Sequence, residues 1–266
     1  MTEFEYQPGR PAPQPPDLTQ AQSDADDDDL YASLTGLSRI VVDALTVDEL
    51  LTQVAEFAAH AIPGVTGAGV TVARPSAPLR IESWAVTAEF VREIDALQYE
   101  VHHEGPCMSA MRTRRPCISG SLGDDIRWPH FGSAVARLGV NSSLSLPLVL
   151  REQVIGVINA YADGLDAFDE HAVALGAKFA GPAAVSIYNA RLLMQARQRA
   201  EQLQRALGSR SVIDQAIGII RGRSGGSAEE AFGRMVKISQ NENVKLHVIA
   251  ERIVDLSVRR APARED

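Results

Sequence analysis

The sequence predicts an α+β chain: an antiparallel sheet with helices, then a long coiled-coil helix leading into an all-α three-helix bundle. Three observations predict it. Residues 143–150 and 154–161 are apolar runs of strand length separated by the polar Arg151-Glu152-Gln153, the spacing of an antiparallel hairpin. Leu193, Ala196, Ala200, Leu203 and Leu207 alternate steps of three and four, flanked by Arg197, Gln198, Glu201 and Arg205, which is a coiled-coil seam. After Gly208, three short segments each carry one apolar helical face, enough for a minimal bundle.

In chain order, residues 1–33 are expected to be a disordered tail. Pro8, Pro11, Pro13, Pro15 and Pro16 resist regular structure, and Asp24 with Asp26 to Asp29 forms an acidic run without apolar residues to bury. A helical pattern begins at Leu34 and runs through Leu37, Ile40, Val41, Leu45, Leu50, Leu51, Val54 and Phe57 until Pro63-Gly64 ends it. Strands are expected over 67–73 and 79–86, and a helix over 89–97. Gly105-Pro106 opens a short helix that Pro116 stops, and a further helix over 128–138 is broken by Gly139. After the hairpin, a long helix starts beyond Phe168-Asp169. It is expected to end near Leu207, with a kink at Gly181-Pro182, because proline cannot donate the backbone hydrogen bond. Residues 34–190 thus form one domain, a sheet with helices on one side. Residues 191–208 are a coiled-coil linker, 209–258 a second domain and 259–266 a flexible tail.

The net charge of −8 conceals an asymmetry. Residues 191–260 hold 13 Lys and Arg against 7 Asp and Glu, and the rest of the chain 13 against 27. Such a split points to nucleic acid or another acidic partner for the basic segment. Two cysteines, Cys107 and Cys117, are too few for a disulfide framework and fit a reducing cytosol. The opening MTEFEYQPGR lacks the apolar core of an export signal, and the apolar stretch 172–190 is Ala-rich and interrupted by Lys178 and Pro182. A cytoplasmic chain with no membrane partner is expected. Without G-x-S-x-G, G-x-x-x-x-G-K-[ST] or C-x-x-C, no enzyme is expected.

Several stretches resemble the actinobacterial branch of the GAF family. They are Glu104-Gly105-Pro106-Cys107, Arg127-Trp128-Pro129-His130-Phe131, Gly139-Val140-Asn141-Ser142-Ser143 and, above all, LSLPLVLREQVIGVINAYAD at 144–163. The resemblance covers 34–190 and implies a GAF-like sensor holding a small molecule, of unspecified identity, between the sheet and the central helices and loops. That region contains His102, His103, Cys107, Met108, Cys117, Asp124, Asp125, Trp128 and Phe131. His103, Cys107, Trp128 and Phe131 are the candidate ligand contacts. No metal is expected, since His102 and His103, adjacent on a strand, would point in different directions. Cys107 follows Gly-Pro at a helix start, where the helix N-terminus favours thiolate; otherwise it is a small buried apolar residue. Trp128 reads as a lid or a packing element. Reductases of free methionine sulfoxide use cysteines on this same fold, so thiol chemistry stays an alternative.

In the second domain, Ser209 reads as an N-cap for a helix carrying Val212, Ile213, Ala216, Ile219 and Ile220, ended by the glycine-rich 222–226. Ser227 with Glu230 is a capping box for the next helix, whose buried stripe is expected to be Ala231, Phe232, Met235, Val236 and Ile238. A third helix carries Leu246, Val248, Ile249, Ile253, Val254 and Leu256. Gly218 inside the first helix costs about 1 kcal/mol relative to Ala, which the close approach of a phosphate backbone or of another helix would offset. Residues 206–254, ALGSRSVIDQAIGIIRGRSGGSAEEAFGRMVKISQNENVKLHVIAERIV, resemble the ANTAR family of RNA-binding antiterminators. The resemblance implies RNA contacts at Ser209, Arg210, Gln215, Ala216 and Gly218. It also implies a departure, because the family's frequent Ala-Lys-Gly is Ala216-Ile217-Gly218 here. Arg221 and Arg223 are the candidates to supply the missing cation. The implied partners are RNA hairpin loops, a second copy of the chain through the long helix, and RNA polymerase nearby. A DNA-binding factor is the remaining alternative, although the second helix carries only Arg234 and Lys237 as basic residues.

Overall fold

The computed structural model describes residues 4–11, 13, 18–40, 45–74 and 80–259, with side chains described for all of these except 74, 80, 205–207, 209, 258 and 259. The expected tail at 259–266 therefore lies outside the described residues, apart from the backbone of Arg259. The chain divides into two units, Met1–Leu193 and Met194–Asp266.

The first unit begins with α1 (Gln20–Ser38) and α2 (Val47–Ala61). The acidic run expected in a disordered tail is helical instead. Thr19 and Gln22 form a capping box at its start, and Leu30, Ser33 and Leu37 are buried. The aspartates meet basic side chains: Asp26 lies 2.9 Å from His171, Asp29 3.2 Å from His60 and Asp27 3.7 Å from Lys178. These partners lie far off in sequence, so local periodicity could not announce the helix. The continuous helical pattern expected from Leu34 is likewise two helices, because Thr46 and Glu49 form a fresh capping box that starts α2.

Strands β1 (Gly67–Arg74), β2 (Arg80–Val86), β3 (Cys117–Ser119), β4 (Ser142–Leu150) and β5 (Gln153–Ala162) make one antiparallel sheet in the order β2-β1-β5-β4-β3. Helices α3 (Glu89–Ala96), α4 (Pro106–Thr113) and α5 (Pro129–Ala136) lie between β2 and β4 in sequence. Both faces of the sheet are covered, which corrects the expectation of helices on one side. Leu144 and Leu146 pair with Ala160 and Ile158, and all four join the core shared with α1, α2 and α6 (Glu170–Ser224). Val157 and Tyr161 point the other way, into a core with Val91, Ile94, Ala110, Phe131 and Val135 of α3, α4 and α5. Burial on two faces explains why these strands read as near-continuous apolar runs.

The hairpin between β4 and β5 closes through Arg151 and Glu152 alone, at φ 47° and 65°. A two-residue turn with both φ positive is the type that matches strand twist and prefers Asn-Gly. Residues other than Gly and Asn are strained there. The double change Arg151→Asn, Glu152→Gly is therefore expected to stabilise the unit by about 1 kcal/mol, read as a rise in Tm of roughly 2–4 °C. An unchanged Tm would show that the turn carries no strain.

Helix α6 is longer than expected. It continues through Pro182, and then through Gly208 and Ser209 where a break was expected, and so reaches Ser224. Ser209 is therefore no N-cap. A single glycine costs a helix only about 1 kcal/mol, too little to end one flanked by good helix formers. The second unit is completed by α7 (Ala228–Glu242) and α8 (Leu246–Arg259). Ser227 and Glu230 form the expected capping box, with bonds of 3.1 Å in both directions. Among the described residues this unit holds five buried apolar side chains: Ala216, Ala231, Met235, Ile249 and Ala250. Phe232 and Ile238, expected in the buried stripe, are 42% and 40% exposed.

Candidate functional site

In the first unit, the face of the sheet beneath α3 and α4 carries a buried polar cluster. Alternation on β4 and β5 turns Ser143, Ser145, Asn159 and Tyr161 toward it, while α3 and the π turn after it (Leu97–Val101) present Asp95, Gln98 and Tyr99. Ser145 Oγ donates to Asn159 Oδ1 at 2.8 Å, and Asn159 Nδ2 donates to Tyr99 Oη at 3.1 Å. Tyr161 Oη donates to Asp95 Oδ1 at 3.2 Å, and Tyr99 Oη donates to Cys107 Sγ at 3.0 Å. Asp95 is fully buried and its Oδ2 has no partner. Burial pushes its carboxyl up to about 7, against the pull of hydrogen bonds from Tyr161 and Asn159. Gln98 Oε1 accepts from the backbone N–H of Cys107 at 2.9 Å, while its Nε2 is unpartnered.

The four expected ligand contacts are placed unevenly around this cluster. Cys107 belongs to it, and of its two readings the small buried residue fits: burial raises the thiol well above its ordinary value. Cys117 is also buried and is pushed up to about 12, despite Arg127 alongside. Trp128 is 3% exposed, donates from Nε1 to Ser109 Oγ at 3.1 Å and lies under the Arg127 guanidinium, so it packs and does not form an open lid. Phe131 is fully buried in the same core. His103 is exposed on the surface at φ 54°, and its neighbour His102 instead stacks on His130 at 6.2 Å. Among the described residues no group of three or more His, Cys, Asp or Glu is placed to hold a metal ion.

Sequence reading missed Asp95, Gln98, Tyr99, Ser145, Asn159 and Tyr161. A signal was present. Polar residues at every second position of otherwise apolar strands, with Asp95, Gln98 and Tyr99 at steps of three and one, mark one polar sheet face and one helix face.

In the second unit the first helical segment, the end of α6, turns Val212, Ile213, Ala216, Ile217 and Ile220 toward Met235, Ile249 and Ala250. Ala216 is fully buried, so the expectation that it contacts a partner is corrected: its side chain belongs to the core. Ile217 also packs against that core, which gives a structural use to the residue standing where lysine was expected. Arg210, Gln215, Gly218, Arg221 and Gly222 are exposed. Steps of three and four place Gly218, Arg221 and Gly222 on one side, whereas Arg223, two residues beyond Arg221, points about 200° away. Arg221 Nε also donates to Gly226 O at 3.3 Å, tying down the turn before α7. A Cβ added at Gly218 or Gly222 would meet nothing within 4 Å. The side chain of Ser209 lies outside the described residues.

Two family models match the chain: a GAF domain at residues 44–187 and an ANTAR domain at 201–254. No curated protein matches it. Among solved structures, the GAF domain of an Acinetobacter phosphoenolpyruvate-protein phosphotransferase is similar at 14% identity and a TM-score of 0.47, covering 66% of this chain and 97% of that one. A free methionine-R-sulfoxide reductase from Neisseria meningitidis, in complex with its substrate, shares 13% identity at a TM-score of 0.47, covering 73% and 99%. Among the described residues no helix is long and apolar enough to cross a membrane. The chain belongs to the GAF family, and an ANTAR domain follows its GAF domain.

Proposed function

We propose that this chain is a signal-controlled antitermination regulator. Its ANTAR units, paired in a homodimer, bind two adjacent stem-loops of nascent RNA in the cytoplasm and so prevent an overlapping terminator hairpin from forming ahead of RNA polymerase. The GAF unit receives the signal. The observation that carries this reading is the open side of α6 around Gly218. No neighbouring side chain of the ANTAR unit comes near an added Cβ, so internal packing does not account for glycine there. A sugar–phosphate backbone approaching closely, beside Arg210, Gln215 and Arg221, does account for it. Loop bases are the accessible part of such RNA, since the deep groove of an A-form helix is closed to side chains.

The homodimer is supported by apolar surface that the chain leaves open. Leu193 and Leu203 of the seam are 40% and 66% exposed, with Ala196 and Ala200 exposed between them. Earlier on α6, Val185, Tyr188 and Leu192 are exposed, and Val185 lines a cleft of about 390 Å³ with Leu34, Leu37 and Pro182. A dimer presents two RNA units at once and multiplies affinity through effective concentration. A regulatory rather than enzymatic role fits the two buried cysteines, because nucleophilic thiols need access and a low pKa.

The test is titration of the full chain with a two-hairpin RNA and with duplex DNA at several salt concentrations. RNA binding at least about tenfold tighter supports the reading, and equal affinity would sink it. Arg210→Ala is expected to lose most RNA binding. Gly218→Ala separates contact from folding: it should stabilise the ANTAR unit by about 1 kcal/mol while weakening RNA binding about tenfold. If it stabilises the unit and binding is unchanged, the open side of α6 is not the RNA face.

A further inference from the structure

The outer edge of β3 is occupied by the chain's own residues 4–10, and the fit is specific for their side chains. Glu5 pairs in parallel with Cys117, its N–H donating to Pro116 O at 2.8 Å and its O accepting from Ile118 N at 3.0 Å. Gln7 is 4% exposed, and its carboxamide fills a cradle. Oε1 accepts from the N–H groups of Gly120 and Ser121 at 3.1 and 3.0 Å. Nε2 donates to Ser121 O at 3.2 Å, so both ends of an amide are read and a carboxylate would lose one of them. Tyr6 Oη donates to Phe168 O at 3.0 Å. Arg10 grips Asp166 with two bonds, of 2.7 and 2.5 Å, and Asp166 is held at φ 52° facing it.

This is an edge-strand groove with a sequence requirement: a carboxamide, and a guanidinium three residues later. An unrelated protein meets that requirement only by coincidence, whereas a second copy of this chain meets it by identity. In a dimer the second copy's segment is also held at high effective concentration. Exchange between copies preserves every bond just described, so only the connecting chain sets its cost. That connection contains Pro11, Pro13, Pro15 and Pro16 in its sequence. We infer that residues 4–10 form an exchangeable arm that docks on the β3 edge of the second copy, so that each GAF unit is completed by its partner. The inference rests on the homodimer proposed above.

Charge reversal tests it. Full-length Arg10→Asp and Asp166→Arg chains are each mispaired within themselves, like charge facing like. A heterodimer of the two with exchanged arms restores both pairs. The unaltered Arg10 of one chain meets the unaltered Asp166 of the other, and the two substituted positions meet as a pair of reversed polarity. Equimolar mixing, followed by native mass spectrometry, is expected to give heterodimer over homodimer at about fivefold or more above the statistical share. The double variant, which keeps the pair within one chain, guards against misfolding of the single variants. Mixed with wild-type chain, it should self-sort, with heterodimer depleted by a similar factor. Dimers that mix statistically in both experiments overturn arm exchange and leave the dimer standing. Monomers throughout overturn both.

Discussion

Asp125→Ala is expected to destabilise the GAF unit by about 3–5 kcal/mol, the cost of leaving a buried charge without its partner. The Asp125 side chain has no solvent exposure, and that of Arg127 has 11%. The carboxylate accepts from Arg127 at its backbone N, Nε and Nη2, at 3.1, 2.9 and 2.7 Å, and from Ser119 Oγ at 2.8 Å. With Asp125 removed, the guanidinium keeps only Ile118 O at 2.6 Å, Glu5 at 3.8 Å, a weak contact with Cys117 Sγ at 3.6 Å and the face of Trp128. Of these only Glu5 carries a countercharge, and it is longer-range and partly exposed where Asp125 is in direct contact and fully buried. Trp84 and Trp128, the chain's two tryptophans, both lie in the first unit, so their fluorescence during denaturant unfolding reports that unit. A fall in Tm of roughly 10 °C or more accompanies a loss of this size. Replacing both residues, as Asp125→Leu with Arg127→Met, should recover a large part of it, since a buried pair exchanged for apolar groups costs far less than a broken one. A loss below about 1 kcal/mol for Asp125→Ala would show that water reaches the pair.

Asp95→Asn is expected to act in the opposite direction, by an amount that grows as pH rises from about 4 to 7. Burial holds the Asp95 carboxyl at about 7 in the folded chain, against an ordinary value of 3.8. Below about pH 4 both folded and unfolded states carry the proton, and the group is neutral to stability. Between about pH 4 and 7 the unfolded state gives up its proton first. Stability therefore falls as pH rises, by up to about 1.4 kcal/mol per unit, and levels off above pH 7 after a total loss of about 4 kcal/mol. Asparagine keeps an acceptor for Tyr161 and Asn159 but has no charge to bury. The variant should therefore match wild type below about pH 4 and exceed it by about 2–4 kcal/mol at pH 8. A difference that does not change with pH would mean that Asp95 is ionised throughout.

What local chemistry specifies was legible in the chain itself. The β4–β5 hairpin followed from two apolar runs and a polar break. The Ser227 capping box followed from two residues three apart. Each depends on residues within one or two turns of each other, and each fell close to where it was expected. Of the residues expected to meet RNA, exposure was legible only in part. Arg210, Gln215 and Gly218 are exposed, but Ala216 and Ile217 are not available, because which side of a helix is buried depends on Met235, Ile249 and Ala250 packing against it.

The remaining features were decided by partners distant in sequence. The acidic run lies in a helix that buries Leu30 and Leu37 in the core and faces His60, His171 and Lys178, and Asp95 shares a cluster with Asn159 and Tyr161, more than 60 residues away. Gln7 is buried by Gly120 and Ser121 across more than 110. The sequence by itself thus determined that there is a sheet-and-helix sensor joined to a basic helical unit. Only the tertiary structure decided which polar groups are shut away from water. A polar side chain can be buried only where specific partners satisfy it, and such partners converge only once the chain has folded.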